Sequence, residues 1–325
     1  MHILVVGGAG YIGSHVAREF LDQGHRVTVF DDMSSGVQEN IFSDEDFIEG
    51  DIRNPEEIQA AMALGLEGVV HLAAFKHVGL SMECPDTFAV NNISGTINVL
   101  NAMMEHNVRH IVFSSSASVF GEPSYLPLDE EHPTNPESFY GFTKLEMERL
   151  MRWYDELKGI RFASLRYFNA SGYDVHGRIN GIEKTTTNLI PVLMEVAVGK
   201  RSNVQIFGTD YDTNDGSCIR DFIHVNDLAT AHVKAMEHIV DCDESHVFNL
   251  GTSQGTSVLE ILEQTRQITG KDIPAEMTNR RPGDPSKLYA ESKKIQKVLG
   301  WSAKHSDLRK IIETTWQVYQ HNFVE

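Results

Sequence analysis

Short apolar runs alternate with amphipathic helical patterns through the first half of the chain. The runs show little polar alternation, which is typical of parallel strands buried on both faces. They lie at residues 2–6, 26–30, 47–51, 68–73, 110–115 and 161–168. Helical patterns separate them, and the two longest span residues 86–106 and 138–158. Repeated strand–helix units of this length predict an α/β fold with a doubly wound parallel sheet.

The second half of the chain has shorter elements and longer loops. Residues 171–187 are rich in Gly, Asn and Thr and show little periodicity, which predicts a mobile loop. Asp227 is predicted to cap a helix that extends to about Ile239, and a strand is predicted at residues 247–250. We expect a cofactor-binding domain at residues 1–169, to which residues 222–250 return. Residues 170–221 and 251–325 are expected to form a smaller C-terminal α/β substrate-binding domain.

Composition narrows the classes of partner and compartment. The formal net charge of −18 over 325 residues argues against nucleic acid and anionic membranes as partners. No apolar run approaches membrane-spanning length, and no basic and apolar leader precedes the first strand. Three widely spaced cysteines without a C-x-x-C pair predict neither a disulfide framework nor a metal site, and fit a reducing cytoplasm.

A glycine-rich turn follows the first strand. Gly7, Gly8, Gly10 and Gly13 stand between that strand and a helical pattern, and Asp31 ends the second strand. This order of strand, glycine turn, helix, strand and acid is typical of the Rossmann dinucleotide site. The helix N-terminus attracts a pyrophosphate, and Asp31 would accept hydrogen bonds from ribose hydroxyls and repel a 2′-phosphate. The pattern therefore predicts NAD rather than NADP.

A tyrosine and a lysine share one face of the second long helix. Tyr140 and Lys144 are four residues apart and are therefore neighbours on a helix surface. A lysine cation and an oxidised nicotinamide would both lower the pKa of a phenol, whose ordinary value of about 10 makes it a poor base. Ser114, Ser115 and Ser116 end the preceding strand, and one of these hydroxyls can share the substrate proton.

Several motifs occur together in a fixed order between His2 and Trp301. They read GGAGYIGSH, GDIR, HLAAFKHVG, FSSSASVFG, YGFTK, RYFN, RDFIHV and RRPGD. This combination resembles the extended short-chain dehydrogenase/reductase family, and within it the enzymes that epimerise UDP-hexoses at C4. The resemblance implies NAD-dependent interconversion of UDP-galactose and UDP-glucose through a transient 4-keto sugar, as part of carbohydrate metabolism.

The resemblance also implies roles for individual residues. Ser116, Tyr140 and Lys144 match the catalytic serine, tyrosine and lysine. The implied NAD contacts are Gly7, Gly10, Tyr11, Ile12, Gly13, Asp31, Asp32, Asp51, Ile52, Leu72, Ala73, Ala74, Lys76, Asn91, Ser114, Tyr140, Lys144 and Phe168. The implied nucleotide-sugar contacts are Ser116, Tyr140, Asn169, Asn188, Leu189, Gln205, Phe207, Arg220, Arg281, Asp284 and Leu288. His224 and Asp227 are interpreted as structural turn and cap residues.

Three departures from the family pattern leave alternatives open. Val6 stands where a threonine often precedes the first glycine, and the loop at residues 172–187 does not follow the usual pattern. Leu288 is of intermediate size at a position where bulk decides whether N-acetylated sugars fit. UDP-N-acetylhexosamine or UDP-pentose epimerisation is therefore an alternative. A nucleotide-sugar dehydratase lacks support because no acid pair stands at Ser115-Ser116-Ala117, and the intact Tyr140–Lys144 pair argues against a non-catalytic NAD sensor.

The resemblance finally implies a homodimer. In the family two subunits associate through a helix bundle, which the long helices at residues 86–106 and 138–158 would supply.

Overall fold

The structure is a computed structural model that describes residues 1–281 and 284–324. Pro282 and Gly283, the centre of the RRPGD motif, and Glu325 lie outside the described residues. The strands are β1 His2–Val6, β2 Arg26–Asp31, β3 Asp46–Glu49, β4 Gly68–His71, β5 His110–Ser116, β6 Arg161–Tyr167, β7 Asn169–Ser171, β8 Val204–Phe207, β9 Ile219–Arg220, β10 Phe222–His224, β11 His246–Leu250, β12 Thr256–Ser257, β13 Ala275–Thr278 and β14 Lys287–Leu288. The α-helices are α1 Tyr11–Asp22, α2 Pro55–Met62, α3 Val78–Glu83, α4 Pro85–Phe88, α5 Gly95–Glu105, α6 Phe139–Lys158, α7 Leu189–Ala197, α8 Val225–Cys242, α9 Val258–Thr269, α10 Lys293–Leu299 and α11 Leu308–Phe323.

A seven-stranded sheet forms the centre of the molecule. Its order is β11-β6-β5-β4-β1-β2-β3, and each neighbouring pair is parallel. The chain thus winds from β1 outward to β3 and then returns past β1 in the other direction. The predicted doubly wound parallel sheet is confirmed, and β11 adds its seventh strand at one edge.

The apolar runs form strands because both faces of the sheet are covered. All five residues of β1 are buried. Apolar residues of α1 and α8 pack with the strands into one core, and those of α2, α5 and α6 pack into a second. Strands buried on both faces need no polar alternation, which explains why the runs are continuously apolar.

A smaller set of elements has a core of its own. Strand β8 pairs with β13, and β9 lies between β12 and β14. Helices α7, α9 and α11 pack with β8 around Leu193, Ile261 and Trp316. Helix α6 ends at Gly159, whose left-handed φ of 68° is typical of a helix C-cap.

The predicted helix at residues 86–106 is wrong as a single element. The chain instead forms α4, a π-helical segment at Ala89–Ser94, and α5, and the unpredicted α3 precedes them. The π-helical segment carries Asn92, which is fully buried. Its side chain accepts from the Phe75 backbone N–H at 2.8 Å and donates to Thr143 Oγ1 at 3.0 Å. These bonds join the segment to the end of β4 and to α6, which a regular helical pattern does not reveal.

The prediction that Asp227 caps α8 is also wrong. His224 is the cap, because its Nδ1 accepts from the Asn226 backbone N–H at 3.1 Å. Asp227 is buried in the first turn and instead accepts from the backbone N–H groups of Lys304 and His305 and from the Ser306 hydroxyl. It fastens the segment before α11 to α8, a tertiary role that local sequence does not show.

Among the described residues, no helix combines the length and apolar character needed to cross a membrane.

Candidate active site

The glycine-rich turn lies between β1 and α1 and is tightly packed. Gly7 has φ of +86°, and a Cβ there would lie 2.7 Å from the Ala73 backbone nitrogen. At Gly13 a Cβ would lie 2.0 Å from the Gly7 carbonyl oxygen. Gly10, by contrast, has only that carbonyl oxygen nearby, 3.4 Å from an added Cβ, and no side chain caps the helix that begins at Tyr11. Space and backbone N–H groups at this N-terminus suit a pyrophosphate, so the turn fits a dinucleotide.

Asp31 holds the turn from the end of β2. Its carboxylate accepts from the backbone N–H groups of Ala9, at 3.0 Å, and Met33, at 2.9 Å. Burial raises the pKa of Asp31, and the two N–H bonds act in the opposite direction. Each carboxylate oxygen keeps a further lone pair for a ribose hydroxyl. The neighbouring Asp32 accepts from Ser34 in a turn of its own.

The other implied cofactor residues lie along the same edge of the sheet. Leu72 and Ala73 follow β4 and donate their N–H groups to the Val6 carbonyl. Ala74 comes directly after them, and Asn91 is buried in the π-helical segment, where it donates to Asn92 Oδ1.

Three of the implied residues have partners that the sequence did not indicate. Asp51 accepts from the Arg53 guanidinium, which lowers the pKa of that carboxyl. The Ile52 side chain packs into an apolar core. Lys76 forms an ion pair with Glu183, a residue of the loop at 172–187.

Tyr140, Lys144 and Ser116 come together where β5 ends against α6. The Lys144 ammonium donates to the Ser114 carbonyl at 2.7 Å and lies 5.9 Å from the centre of the Tyr140 ring. Ser138 caps α6, and the Tyr140 backbone N–H donates to Ser81 Oγ at 3.0 Å, which fixes the start of the helix. The predicted spacing therefore produces a joined constellation at the carboxyl end of β5.

Burial is the main influence on the pKa values of this pair. It raises the pKa of Tyr140 to about 12, whereas the hydroxyl of Ser116 lowers it. It lowers the pKa of Lys144 to about 7, whereas the charge of Glu148 raises it. A phenol in this state is a weak base, so the site needs additional positive charge beside Tyr140 to make it an effective one.

Behind Lys144 lies a buried ion pair that the sequence analysis missed. Glu148 accepts from the Arg166 guanidinium at 2.9 and 2.7 Å and from Ser115 Oγ at 2.6 Å. Tyr140, Lys144 and Glu148 are spaced by four residues, so the same periodicity that pointed to the first two could have indicated the third. Ser114 and Tyr167 pair through their hydroxyls in the same layer.

The implied nucleotide-binding residues gather around β9 and β14. The Arg220 guanidinium donates to Asp284 at 2.5 Å, and the Arg281 guanidinium donates to the other oxygen of Asp284 at 3.2 Å. The Arg281 guanidinium also lies 4.5 Å from the centre of the Phe207 ring. One carboxylate thus holds two arginines, and an aromatic ring completes the cluster.

The remaining implied substrate residues lie around this cluster. Gln205 is exposed two residues before Phe207, on the same face of β8. Phe168 and Leu288 pack on one small apolar cluster beside Val119 and Phe120. Asn169 donates to the Asp221 carbonyl at 2.9 Å. Asn188 precedes α7 without capping it through its side chain, and Leu189 is the first residue of that helix.

Comparisons with known proteins agree with this geometry. The model of the NAD dependent epimerase/dehydratase family matches residues 3–251. The chain belongs to this family. It is 45% identical to a UDP-glucose 4-epimerase of Halalkalibacterium halodurans, over 99% of this chain and 96% of that one.

Solved structures of UDP-glucose 4-epimerases are also similar to this chain. The UDP-glucose 4-epimerase of Brucella ovis in complex with NAD has a TM-score of 0.95 and 41% identity and covers 98% of both chains. The enzyme of Stenotrophomonas maltophila with bound NAD and formylated UDP-arabinopyranose has a TM-score of 0.95 and 37% identity, and the match covers 99% of this chain and 98% of that one. The Rossmann sheet and the family expected from the motifs are confirmed.

Proposed function

We propose that the chain is an NAD-dependent epimerase that inverts C4 of a UDP-hexose, interconverting UDP-galactose and UDP-glucose. The observation that carries this proposal is the junction of β5 and α6, where Tyr140, Lys144 and Ser116 lie at the sheet edge that also bears the glycine-rich turn. The glycine-rich turn and Asp31 would hold NAD, which would supply hydride transfer from C4 and back to the other face of the 4-keto sugar. The chain's own residues then have to bind and orient the UDP-sugar and move the proton of its 4-hydroxyl.

Tyr140 takes the proton of the 4-hydroxyl in this proposal. Burial raises the pKa of Tyr140 and the Ser116 hydroxyl acts in the opposite direction. In this proposal the Lys144 ammonium, 5.9 Å from the centre of the ring, favours the phenolate as well. Ser114 fixes that ammonium through its carbonyl group. The reverse transfer, from Tyr140 to the 4-oxygen, completes the second half of the reaction, so one residue serves as base and then as acid.

Arg220, Arg281 and Asp284 hold the UDP part in this proposal. Two guanidinium groups suit a pyrophosphate because each presents a planar fork of donors. Phe207 offers a ring face to the uracil, and Gln205 on the same strand face offers an amide. A grip on the unreacting UDP leaves the keto sugar free to turn between its two faces while it remains tethered.

We assign the other implied contacts as follows. The cofactor residues are those at the ends of β1, β2, β4 and β5, together with Asp51, Ile52, Asn91 and Phe168. Asn169, Asn188, Leu189 and Leu288 border the sugar. The domain division at residues 1–169 with 222–250, and 170–221 with 251–325, is proposed on the same basis. Of three cores, two cover the faces of the large sheet and the third surrounds α7, α9 and α11. They support that division, except that Ile295 and Trp301 pack with a core of the large sheet.

We further propose a homodimer formed by α3, the π-helical segment and α6. Trp153 and Leu157 of α6 are 59% and 65% exposed, and they are four residues apart on one helix face. Leu80 and Met82 of α3 and Val90 are also exposed, and Met82 Sδ lies 3.3 Å from the Phe139 backbone nitrogen at the start of α6. Large exposed apolar side chains on adjoining helices favour burial against a second copy. The cytoplasm is the proposed location, since the composition suits a reducing compartment.

A turnover assay tests the function directly. The purified chain is given UDP-galactose without added NAD, and UDP-glucose is followed by chromatography. UDP-N-acetylgalactosamine and a UDP-pentose are assayed in parallel. Conversion of UDP-galactose is the expected result, and it would also establish that the cofactor is retained.

Tyr140→Phe serves as the matched variant. It is expected to lose about 10²–10⁴-fold in kcat and to keep its bound NAD, because it removes only the proton-transferring hydroxyl. No conversion of any of these sugars, even with NAD supplied, would overturn the proposal. A Tyr140→Phe protein with full turnover would remove Tyr140 from the mechanism.

A further inference from the structure

The segment at residues 172–187 crosses from the substrate side to the cofactor side of the site. At its start the Tyr11 hydroxyl donates to the Gly172 carbonyl at 2.5 Å. In its middle a Cβ on Gly181 would lie 2.3 Å from Asn40 Oδ1, so the two residues are in close contact. Asn40 in turn donates to the Ala9 carbonyl of the glycine-rich turn at 3.2 Å. The segment therefore packs on the residues that form the dinucleotide turn.

The other side of the segment is fixed to α11 and its surroundings. The Tyr173 backbone N–H donates to Thr314 Oγ1 at 3.1 Å, and Asn322 Nδ2 donates to the Asn180 carbonyl at 3.0 Å. Ile179 is fully buried between these two points. With one side held by α11, the contacts on its other side determine whether the segment stays over the cofactor site.

Two charged contacts lie on that side: Arg178 pairs with Asp22 at the end of α1 at 2.7 Å, and Glu183 pairs with Lys76 after β4. The Glu183 carboxylate pairs with the Lys76 ammonium, which follows β4 next to Leu72, Ala73 and Ala74. Glu183 is 19% exposed and Lys76 54% exposed, so the carboxylate is largely shielded from solvent and the ammonium is partly exposed.

An ammonium group has three donors, and one carboxylate does not use them all. A lysine that is held by Glu183 keeps donors for the cofactor and has already lost most of its rotamer freedom, which otherwise opposes binding. This contact was not predictable from the sequence, because residues 172–187 show little periodicity and depart from the family pattern.

We infer that Glu183 is a positioning residue for the cofactor: it holds Lys76 toward the dinucleotide and fastens residues 172–187 across the site, which slows release of NAD. This inference rests on the proposed function, since it takes NAD as the ligand of the glycine-rich turn. The Lys76–Glu183 pair persists beside the bound cofactor and is not exchanged for it. Retention of NAD matters because an epimerase that loses reduced cofactor in mid-cycle would release a ketone.

An exchange experiment tests the inference without using turnover. The holoenzyme is loaded with isotopically labelled NAD and diluted into excess unlabelled NAD, and retained label is measured over time after rapid gel filtration. Glu183→Gln is expected to release label about two- to fivefold faster than the wild type, as expected for a partly exposed ion pair. Lys184→Gln is the matched control, because Lys184 is the exposed neighbour in the same segment, and its release rate should equal that of the wild type.

A double-mutant comparison shows whether Glu183 acts through Lys76. In a Lys76→Met background, Glu183→Gln should leave the release rate unchanged. Equal or slower release from the Glu183→Gln protein, or the same acceleration in both backgrounds, would overturn the inference. If all these proteins converted UDP-galactose but released labelled NAD at the same rate, this inference would be overturned and the proposed function would stand. Failure of the wild type to bind labelled NAD at all would sink the proposed function.

Discussion

Ser115 donates a hydrogen bond of 2.6 Å to Glu148 inside the protein, between the end of β5 and the third turn of α6. Glu148 and its partner Arg166 are almost fully buried. The three consecutive serines of β5 thus meet three successive turns of α6: Ser116 acts on Tyr140, the Ser114 carbonyl holds Lys144, and Ser115 holds Glu148. Through Glu148, the hydrogen bond from Ser115 and the ion pair with Arg166 hold α6, which carries Tyr140 and Lys144, against β5 and β6.

Removing the charge of Glu148 should destabilise the fold strongly. Glu148→Gln leaves the Arg166 guanidinium buried without a counter-charge, and such changes cost about 3–5 kcal/mol of unfolding free energy. Ser115→Ala should cost only about 1–2 kcal/mol, because it removes a neutral donor from a carboxylate that keeps Arg166. Urea unfolding of the cofactor-free proteins measures both.

The same helix offers a control for that experiment. Glu146→Gln removes a partly exposed carboxylate that pairs with Arg149 three residues later, and it should change the unfolding free energy by less than about 0.5 kcal/mol. If Glu148→Gln behaved like Glu146→Gln, the buried pair would not be a stabilising element of this layer.

The fold was predictable because its signals are local and repeated. Continuous apolar runs, a glycine turn and an acid at a strand end specify a parallel sheet whatever the rest of the chain does. The wrong predictions, the unbroken helix at residues 86–106 and the cap at Asp227, have a common cause. Asn92 and Asp227 make their bonds to residues far away in sequence, so nothing in the neighbouring residues reports them.

The residues of the candidate site also fall into those that the sequence predicted and those that it did not. The Tyr140–Lys144 pair follows from helical spacing, and the resemblance supplied Arg220, Arg281 and Asp284, which the structure brings together. Glu183 could not be found, because its partner Lys76 is distant in the chain and its segment has no pattern. The motif-based residues sit on regular elements, whereas the missed one lies on an irregular segment that only tertiary packing positions.

Asp284 should control UDP binding through the two arginines. Asp284→Asn removes the negative charge that both guanidinium groups share among their described contacts, so each guanidinium is less firmly held. We expect UDP to bind about tenfold or more weakly by calorimetry, with KM for UDP-galactose raised and kcat changed little.

Arg280→Met is the control for the UDP measurement. Arg280 is adjacent in sequence but pairs with Asp210, so UDP should bind this variant as it binds the wild type. Loss of kcat without weaker UDP binding in Asp284→Asn would contradict the assigned role.

Buried neutral histidines should make the fold sensitive to acid. Burial lowers the pKa of His232 from its ordinary 6.5 to about 4, although its bond to the Leu228 carbonyl raises it. The unfolded chain therefore binds more protons than the folded chain between these two pH values. The unfolding free energy must then fall as pH drops from 6.5 to 4, by up to about 1.4 kcal/mol per pH unit for each such histidine.

His15, His71 and His224 behave in the same direction, with pKa values lowered by burial to about 4, 3 and 3. His232→Gln should reduce the slope of unfolding free energy against pH in that window by up to about 1.4 kcal/mol per pH unit, which corresponds to one proton. Urea unfolding of the wild type and of the His232→Gln variant at several pH values between 4 and 7 gives both slopes, and equal slopes in the two proteins would refute the assignment.

The exposed apolar face of α6 should hold two subunits together. Trp153→Glu places a charge in the centre of the proposed contact, and we expect the variant to elute as a monomer by light scattering coupled to gel filtration. Arg152→Gln makes the same change of charge one residue away, where the side chain is exposed but polar, and should remain dimeric. A wild-type monomer at micromolar concentration would rule out the proposed dimer.

Leu288 should decide which sugars fit. It packs with Phe168 on one apolar cluster and pairs in register with Arg220, so it lies between the implied nicotinamide and pyrophosphate contacts. Leu288→Ala removes bulk there, and the ratio of kcat/KM for UDP-N-acetylgalactosamine to that for UDP-galactose should rise about 10- to 100-fold. Leu288→Tyr should lower the same ratio. Lys287→Ala, on the preceding residue of β14 with its side chain on the opposite face, is the control and should leave the ratio unchanged. A ratio that moves in the same direction for Ala and Tyr would mean that Leu288 acts through the packing of β14 and not through the size of the sugar pocket.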